Sequence, residues 1–150
     1  MRVRPLDPME MKSDYAADTD IDDSLDQLPD EATIEETVAN LEANGFEVEV
    51  VDSPEDALAT VRNRIPADVS VMNGHSTTLE EIGFTDYLGE GDHDWESLPD
   101  EIWAIDDDAE RATARRKAQT ADYFLGSVNA IAGTGELVAA DRSGSRIGAY

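Results

Sequence analysis

Val69-Ser70-Val71-Met72-Asn73-Gly74-His75-Ser76-Thr77-Thr78-Leu79-Glu80 is the stretch on which the fold turns. Val69 to Met72 is a short apolar run of strand length. Asn73-Gly74 breaks it, and Thr77-Thr78-Leu79-Glu80 is a capping-box pattern that starts a helix. Leu79 and Ile82 give that helix an apolar side, and Gly83 closes it. A strand running through a short polar loop into a helix is the unit from which parallel α/β sheets are built.

The same alternation continues on both sides. Upstream, Thr33 and Glu36 form another capping-box pattern, and Ile34, Val38 and Leu41 mark one face of a helix that Gly45 stops. Phe46, Val48 and Val50 alternate with Glu47 and Glu49, which predicts a strand with one wet face. Ser53-Pro54-Glu55-Asp56 opens a second helix with Leu58, Val61 and Ile65 on its buried side and Pro66 at its end. Downstream, Gly89 to Pro99 reads as a polar loop. Ile102-Trp103-Ala104-Ile105, with no wet face, reads as a central strand. Ala109 to Thr120 is helical, Tyr123 to Val128 is an apolar strand, and Leu137 to Ala140 returns beside it after the Gly133-Thr134-Gly135 turn. The expected fold is α/β: a mainly parallel Rossmann-like sheet with flanking helices and one antiparallel hairpin. Residues 1–28 are acidic with little periodicity and are expected to form a flexible arm, although Ile21, Leu25 and Leu28 have helical spacing; residues 29–150 form the ordered domain.

Charge and composition narrow the chemistry. The 150 residues hold 35 Asp and Glu against 11 Lys and Arg, a formal charge of −24. Such a surface repels nucleic acid and anionic lipid, so neither is an expected partner. Lys12 and Lys117 are the only lysines, and carboxylates run the length of the chain, the pattern of a surface adapted to strong salt. With no cysteine, the chain has no disulfides, thiolate metal sites or cysteine nucleophile, and no cofactor is expected in it. Met1 to Glu10 lacks the apolar block of a signal peptide, and no run is long enough for a bilayer, so a cytoplasmic protein is expected. Asp106-Asp107-Asp108 reads as a helix cap opposed by Arg115, Arg116 and Lys117 rather than a metal site, and Asp92-His93-Asp94 as an acidic loop.

Ligands of parallel sheets bind beyond the carboxyl ends of the strands. Three segments are candidates for that rim. In the first, Gly74 admits close backbone approach, while Ser76, Thr77, Thr78 and the helix-start amides suit an anion. The second is Ser127-Val128-Asn129-Ala130, where Asn129 either orients a ligand or ties down a turn. The third is Asp141-Arg142-Ser143-Gly144-Ser145-Arg146, whose arginine forks match a carboxylate or phosphate. Glu136 is a weak candidate for a general base and reads better as a solvent-facing hairpin residue. His75 has no partner by spacing that would make it catalytic.

Two blocks carry a family resemblance: Val71-Met72-Asn73-Gly74-His75-Ser76-Thr77-Thr78-Leu79-Glu80-Glu81-Ile82-Gly83, and Ala121-Asp122-Tyr123-Phe124-Leu125-Gly126-Ser127-Val128-Asn129-Ala130-Ile131, continuing through Gly133-Thr134-Gly135-Glu136-Leu137-Val138. Together with Arg115-Arg116-Lys117-Ala118 they resemble the lactate-utilisation (LUD) domain family over roughly residues 29–150. The resemblance implies a fold like that of the sugar-phosphate isomerase and CoA-transferase superfamily. It also implies site positions at Gly74, Ser76, Thr77, Thr78, Asn129, Glu136, Gly144 and Arg146, whereas His75 stands where many members have a small residue. Some members act with iron–sulfur partners in oxidising lactate to pyruvate.

The expectation is therefore an accessory domain holding a small organic anion between the Gly74–Thr78 loop, Asn129 and Arg146, with electron transfer on an iron–sulfur oxidoreductase partner. An isomerase or CoA-transferase-like enzyme using Glu136 is the alternative. The resemblance further implies another apolar strand and helix after Gly144–Tyr150, so the chain reads as truncated at its C-terminus. An open sheet edge would then be available for pairing with another chain, including a second copy.

Overall fold

The computed structural model describes residues 27–141 and 146–150. The arm expected over residues 1–28 falls almost wholly outside them, as does Gly144 with its neighbours Arg142, Ser143 and Ser145. Contacts divide the chain between Glu35 and Glu36. The architecture below is that of residues 36–150, apart from the first turn of the first helix.

That helix, α1 (Glu31–Ala43), starts earlier than the Thr33–Glu36 pattern suggests. Asp30 is the cap: its Oδ1 accepts from the Thr33 amide at 2.8 Å, and hydrogen bonds from the Thr33 side chain and amide hold the Asp30 carboxyl below its ordinary pKa. The helix closes where Gly45 takes φ +91°, a conformation that favours glycine. α2 (Pro54–Arg64) is built as its sequence suggests, with Ser53 Oγ accepting from the Asp56 amide at 3.1 Å and Pro54 in the first turn. Between these helices, residues 46–50 do not form the expected strand. Val50 is 62% exposed. The polar side of the alternation is the one that finds partners: Arg64 donates to Glu47 at 2.7 Å and to Glu49 at 3.1 Å, and Thr60 donates to Glu49 at 3.0 Å. These bonds lower the Glu49 pKa and raise that of Arg64. The alternation predicted a suitable strand surface but could not provide a neighbouring strand.

The first strand of the sheet, β1 (Ser70–Asn73), already has a partner on each edge. It is followed by two short helices, α3 (Thr77–Glu81) and α4 (Phe84–Glu90), and then β2 (Glu96–Ser97). α5 (Leu98–Trp103), α6 (Asp108–Ala118) and β3 (Tyr123–Leu125) complete the sheet. The order is β2-β1-β3 and both pairings are parallel, with Val71 opposite Ser97 on one side and Tyr123 on the other. The domain is thus mixed α/β, a small three-stranded parallel sheet flanked by helices. Val71 is fully buried at its centre and packs in one cluster with Ile65, Leu79, Phe84 and Leu88. Asp122 pins the entry to the sheet: its Oδ2 accepts from the Ser70 amide at 2.9 Å and the Ser70 hydroxyl at 2.7 Å.

Two further assignments, on either side of α5's start, need correction. Ile102-Trp103-Ala104-Ile105 is not a central strand; it ends α5 and leads out of it. Pro99 in the first turn, followed by Asp100 and Glu101 against the positive helix start, favours helix there. The apolar run without a wet face has instead one buried residue, Ile102, and two exposed, Trp103 and Ala104. The strand in this part of the sheet is β2, inside the segment Gly89–Pro99 expected to be a loop. The acid triplet serves α6 as expected, with Asp107 Oδ1 accepting from the Glu110 amide at 2.8 Å.

After β3 the chain makes a separate hairpin, β4 (Ala130–Ile131) against β5 (Leu137–Val138), antiparallel, so Leu137–Ala140 does not return beside the Tyr123–Leu125 strand as expected. α1 holds its turn: Asn40 Nδ2 donates to the Gly133 carbonyl at 2.8 Å and Asn44 Nδ2 to the Gly135 carbonyl at 3.0 Å. Gly135 has φ +88°, and a Cβ there would lie 2.8 Å from the Asn40 backbone, so the position demands glycine twice over. Among the described residues no helix is long and apolar enough to cross a membrane.

Candidate functional site

β1 ends at Asn73, and the loop Gly74-His75-Ser76 carries the chain from the sheet into α3. This carboxyl edge opens into a cavity of about 560 Å³. Met72 and Phe124, adjacent in the β1–β3 register, give it an apolar side, to which Ile102 and Trp103 of α5 add. The opposite character comes from Arg115 and Arg116 on α6. The Arg115 guanidinium lies over the Trp103 ring at 4.8 Å from its centre, and Arg116 donates to Thr113 Oγ1 at 2.9 Å. Among the described residues neither guanidinium has a carboxylate at ion-pair distance. The acid in the lining, Glu80, has its Oε1 3.9 Å from Nε2 of His75, a side chain 86% exposed. In a chain of charge −24, two adjacent guanidiniums without carboxylates form a local positive edge on a concave surface.

The residues expected at the site fall into three groups. Gly74 and Ser76 line the cavity, and both are also used by the protein itself. Ser76 is buried; its Oγ caps α3 by accepting from the Leu79 amide at 3.2 Å and donates to Ser127 Oγ at 2.9 Å. The cap is thus one residue earlier than the Thr77–Glu80 pattern implies. Thr77 and Thr78 form the exposed start of a five-residue helix and are not part of the cavity lining. The Leu79 and Glu80 amides that were to greet an anion are taken by Ser76.

Arg146 and Asn129 are not part of the cavity lining and serve as fasteners beside it. Arg146 Nη1 donates to the Ser127 carbonyl at 2.9 Å and Nη2 to the Ala140 carbonyl at 2.8 Å. Its stem passes so close to Gly74 that a Cβ built there would lie 2.5 Å from Arg146 Cγ. The bare backbone of Gly74 therefore admits a side chain of this protein. Asp141 Oδ2 accepts from the amides of Arg146 and Ile147, and Tyr150 Oη donates to the Ser127 carbonyl at 3.2 Å. Asn129 Oδ1 accepts from the Ala140 amide at 2.7 Å, tying the base of the hairpin. Ser76 and Arg146 are thus on the same side and meet through Ser127. The third group stands apart: Glu136 is exposed on the hairpin, bonded by Thr134 Oγ1, and Gly144 lies outside the described residues.

Arg115, Arg116 and Trp103 were missed as site residues. The arginines were assigned to the C-terminal dipole of their helix, which their place in its last turn also satisfies. The available signal was their scarcity: adjacent arginines one turn from a helix end, in a chain with 11 basic residues.

Fold and site together define an α/β domain with a cavity at the carboxyl rim of a parallel sheet, edged by guanidinium groups. The chain belongs to the LUD domain family, whose profile matches residues 34–150. No curated protein and no solved structure matches it.

Proposed function

We propose that this domain binds a small organic anion in the cavity at the end of β1 and serves lactate or related 2-hydroxy-acid utilisation as an accessory to an iron–sulfur oxidoreductase. Family membership suggests the process. The observation that carries the binding role is the pair Arg115 and Arg116, free of carboxylate partners among the described residues and set on the wall of a 560 Å³ cavity. A guanidinium fork meets a carboxylate with two parallel hydrogen bonds, which fixes orientation as well as charge. Asn73, at the end of β1, adds a polar group to the lining. A cluster's thiolate ligands cannot come from these 150 residues, which contain no cysteine, so the partner supplies them. The fold reading that goes with this proposal is a Rossmann-like core of the sugar-phosphate isomerase and CoA-transferase kind, supported by the parallel order β2-β1-β3. A transferase or isomerase using Glu136 would need that carboxylate at the ligand, and it is exposed on the hairpin and absent from the cavity lining.

The test is calorimetric titration of the full chain with lactate, pyruvate, phenylacetate and inorganic phosphate. Binding that weakens at least tenfold in Arg115→Ala/Arg116→Ala, with the circular dichroism spectrum unchanged, is the expected result. Undiminished binding in that variant, or no binding of any organic anion to the parent, overturns the proposal.

A further inference from the structure

We infer that the ligand of this cavity is an amphiphilic organic anion, a carboxylate carrying an aryl or comparably large apolar body, and not a three-carbon acid; the inference rests on the anion-binding reading above. The first ground is size. A cavity of about 560 Å³ falls in the range of about 300–1,000 Å³ that encloses drug-sized molecules. Lactate or pyruvate would leave most of it to water lying against apolar side chains.

The second ground is the lining. Positive charge comes from Arg115 and Arg116 on α6 and the one carboxylate of the lining is Glu80 on α3, beside His75, while Met72, Pro99, Ile102 and Phe124 supply apolar surface. Trp103 completes the division. It is 67% exposed, an unusual position for an indole, yet it lines the cavity and is held by Arg115. An exposed tryptophan braced by a guanidinium at a concave mouth is suited to cover a flat apolar group while the arginine takes its charged end.

The third ground is electrostatic. A chain of charge −24 repels an approaching anion at low salt. At molar salt the Debye length is about 3 Å, so the attraction of two exposed arginines is itself largely screened. Charge alone holds a small carboxylate poorly under either condition. Burial of apolar surface is not screened by salt, so the body of the ligand supplies the affinity and the guanidiniums its orientation.

The chain has two tryptophans, which gives a direct assay. Trp95 packs among Phe84, Tyr87 and His93, whereas Trp103 is at the cavity. In Trp95→Phe, Trp103 is the sole indole, and its fluorescence is titrated with phenylacetate, acetate and 2-phenylethanol at one salt concentration. The same three probes and lactate are run by calorimetry on the parent. Phenylacetate is expected to bind at least tenfold more tightly than either acetate or 2-phenylethanol, and to lose that advantage over 2-phenylethanol in Arg115→Ala/Arg116→Ala. By calorimetry, Trp103→Ala is expected to lower phenylacetate to the level of acetate, with Trp103→Phe retaining most of the affinity. Equal binding of acetate and phenylacetate, or binding of lactate alone, overturns this inference and leaves the anion reading standing. Equal binding of phenylacetate and 2-phenylethanol, with no binding of lactate or acetate, overturns both.

Discussion

Gly74→Ala is expected to destabilise the domain through Arg146, and the structure supplies the size of the effect. Gly74 is not among the glycines at positive φ, so alanine meets no backbone penalty there. The cost is contact: the new Cβ lies 2.5 Å from Arg146 Cγ and 3.4 Å from Phe124 Cζ. A long side chain could swing clear if its end were free, but Arg146 is fastened at both ends. Its amide donates to Asp141 and its guanidinium to the Ser127 and Ala140 carbonyls. Either the stem is squeezed or the guanidinium bonds break. Overpacking of this kind costs about 1–3 kcal/mol, and loss of charge-assisted bonds about the same. A central value of about 2 kcal/mol lowers Tm by about 4–8 °C in a chain of this length. The decisive assay is a double-mutant cycle in urea with Arg146→Ala. Removing the stem removes the clash, so Gly74→Ala in the Arg146→Ala background should cost less by about 1 kcal/mol or more. Additive effects, within the roughly 0.5 kcal/mol expected of independent sites, would refute the steric account. A Gly74→Ala protein of parental stability would refute it more directly.

Ser76→Ala removes both the cap of α3 and the link to Ser127, and urea unfolding should show a loss of about 1 kcal/mol or somewhat more; Ser76→Thr, which keeps the hydroxyl, should recover part of it. The Asp122 carboxyl is held below its ordinary value by hydrogen bonds from the Ser70 hydroxyl and amide, so its contribution is present above the unfolded-state pKa and is lost as pH falls through the lower folded one. Asp122→Asn should accordingly be less stable than the parent at pH 7 and converge with it in strong acid, and a constant difference down to the lowest pH tested would contradict the linkage. With 24 net negative charges, melting followed by circular dichroism should shift to higher temperature between dilute buffer and molar KCl, where the Debye length contracts from about 30 Å to about 3 Å; equal melting temperatures would show that self-repulsion is not a significant burden on this fold.

Much of the fold was legible because its signals are local. Ser53-Pro54 and Asp107 announce helices through chemistry completed within four residues, and both begin where they should. Val71 and Met72 lie in a strand flanked by helices, as the alternation of patterns implies. The failures share a different cause. Whether Phe46–Val50 pairs depends on which strands flank β1, and β2 and β3 occupy both sides. A strand pattern describes a surface, while a strand requires a partner. The Ile102–Ile105 reading failed at short range, where hydrophobicity outweighed Pro99, Asp100 and Glu101. Without a wet face, a short apolar run does not distinguish a strand from a half-buried helix end.

Of the residues expected at one rim, Gly74 and Ser76 line the cavity, while Thr77, Thr78, Asn129 and Arg146 do not. Ser76 and Arg146 are joined through Ser127, whose hydroxyl accepts from Ser76 and whose carbonyl accepts from Arg146 and Tyr150. Residue type cannot tell a group that waits for a ligand from one that fastens the rim, because both tasks call for hydroxyls, amides and guanidiniums. Only the inventory of partners separates them. Arg146 has two carbonyls within 2.9 Å and a stem wedged on Gly74, and it is not part of the cavity lining, so its guanidinium cannot turn to a ligand there without releasing those bonds. Arg115 and Arg116 have a ring face and a threonine hydroxyl, interactions that leave guanidinium hydrogens unspent. Replacing Arg146 should therefore register first as lost stability, and replacing the α6 pair first as lost ligand, a division that two alanine variants and two assays can read directly.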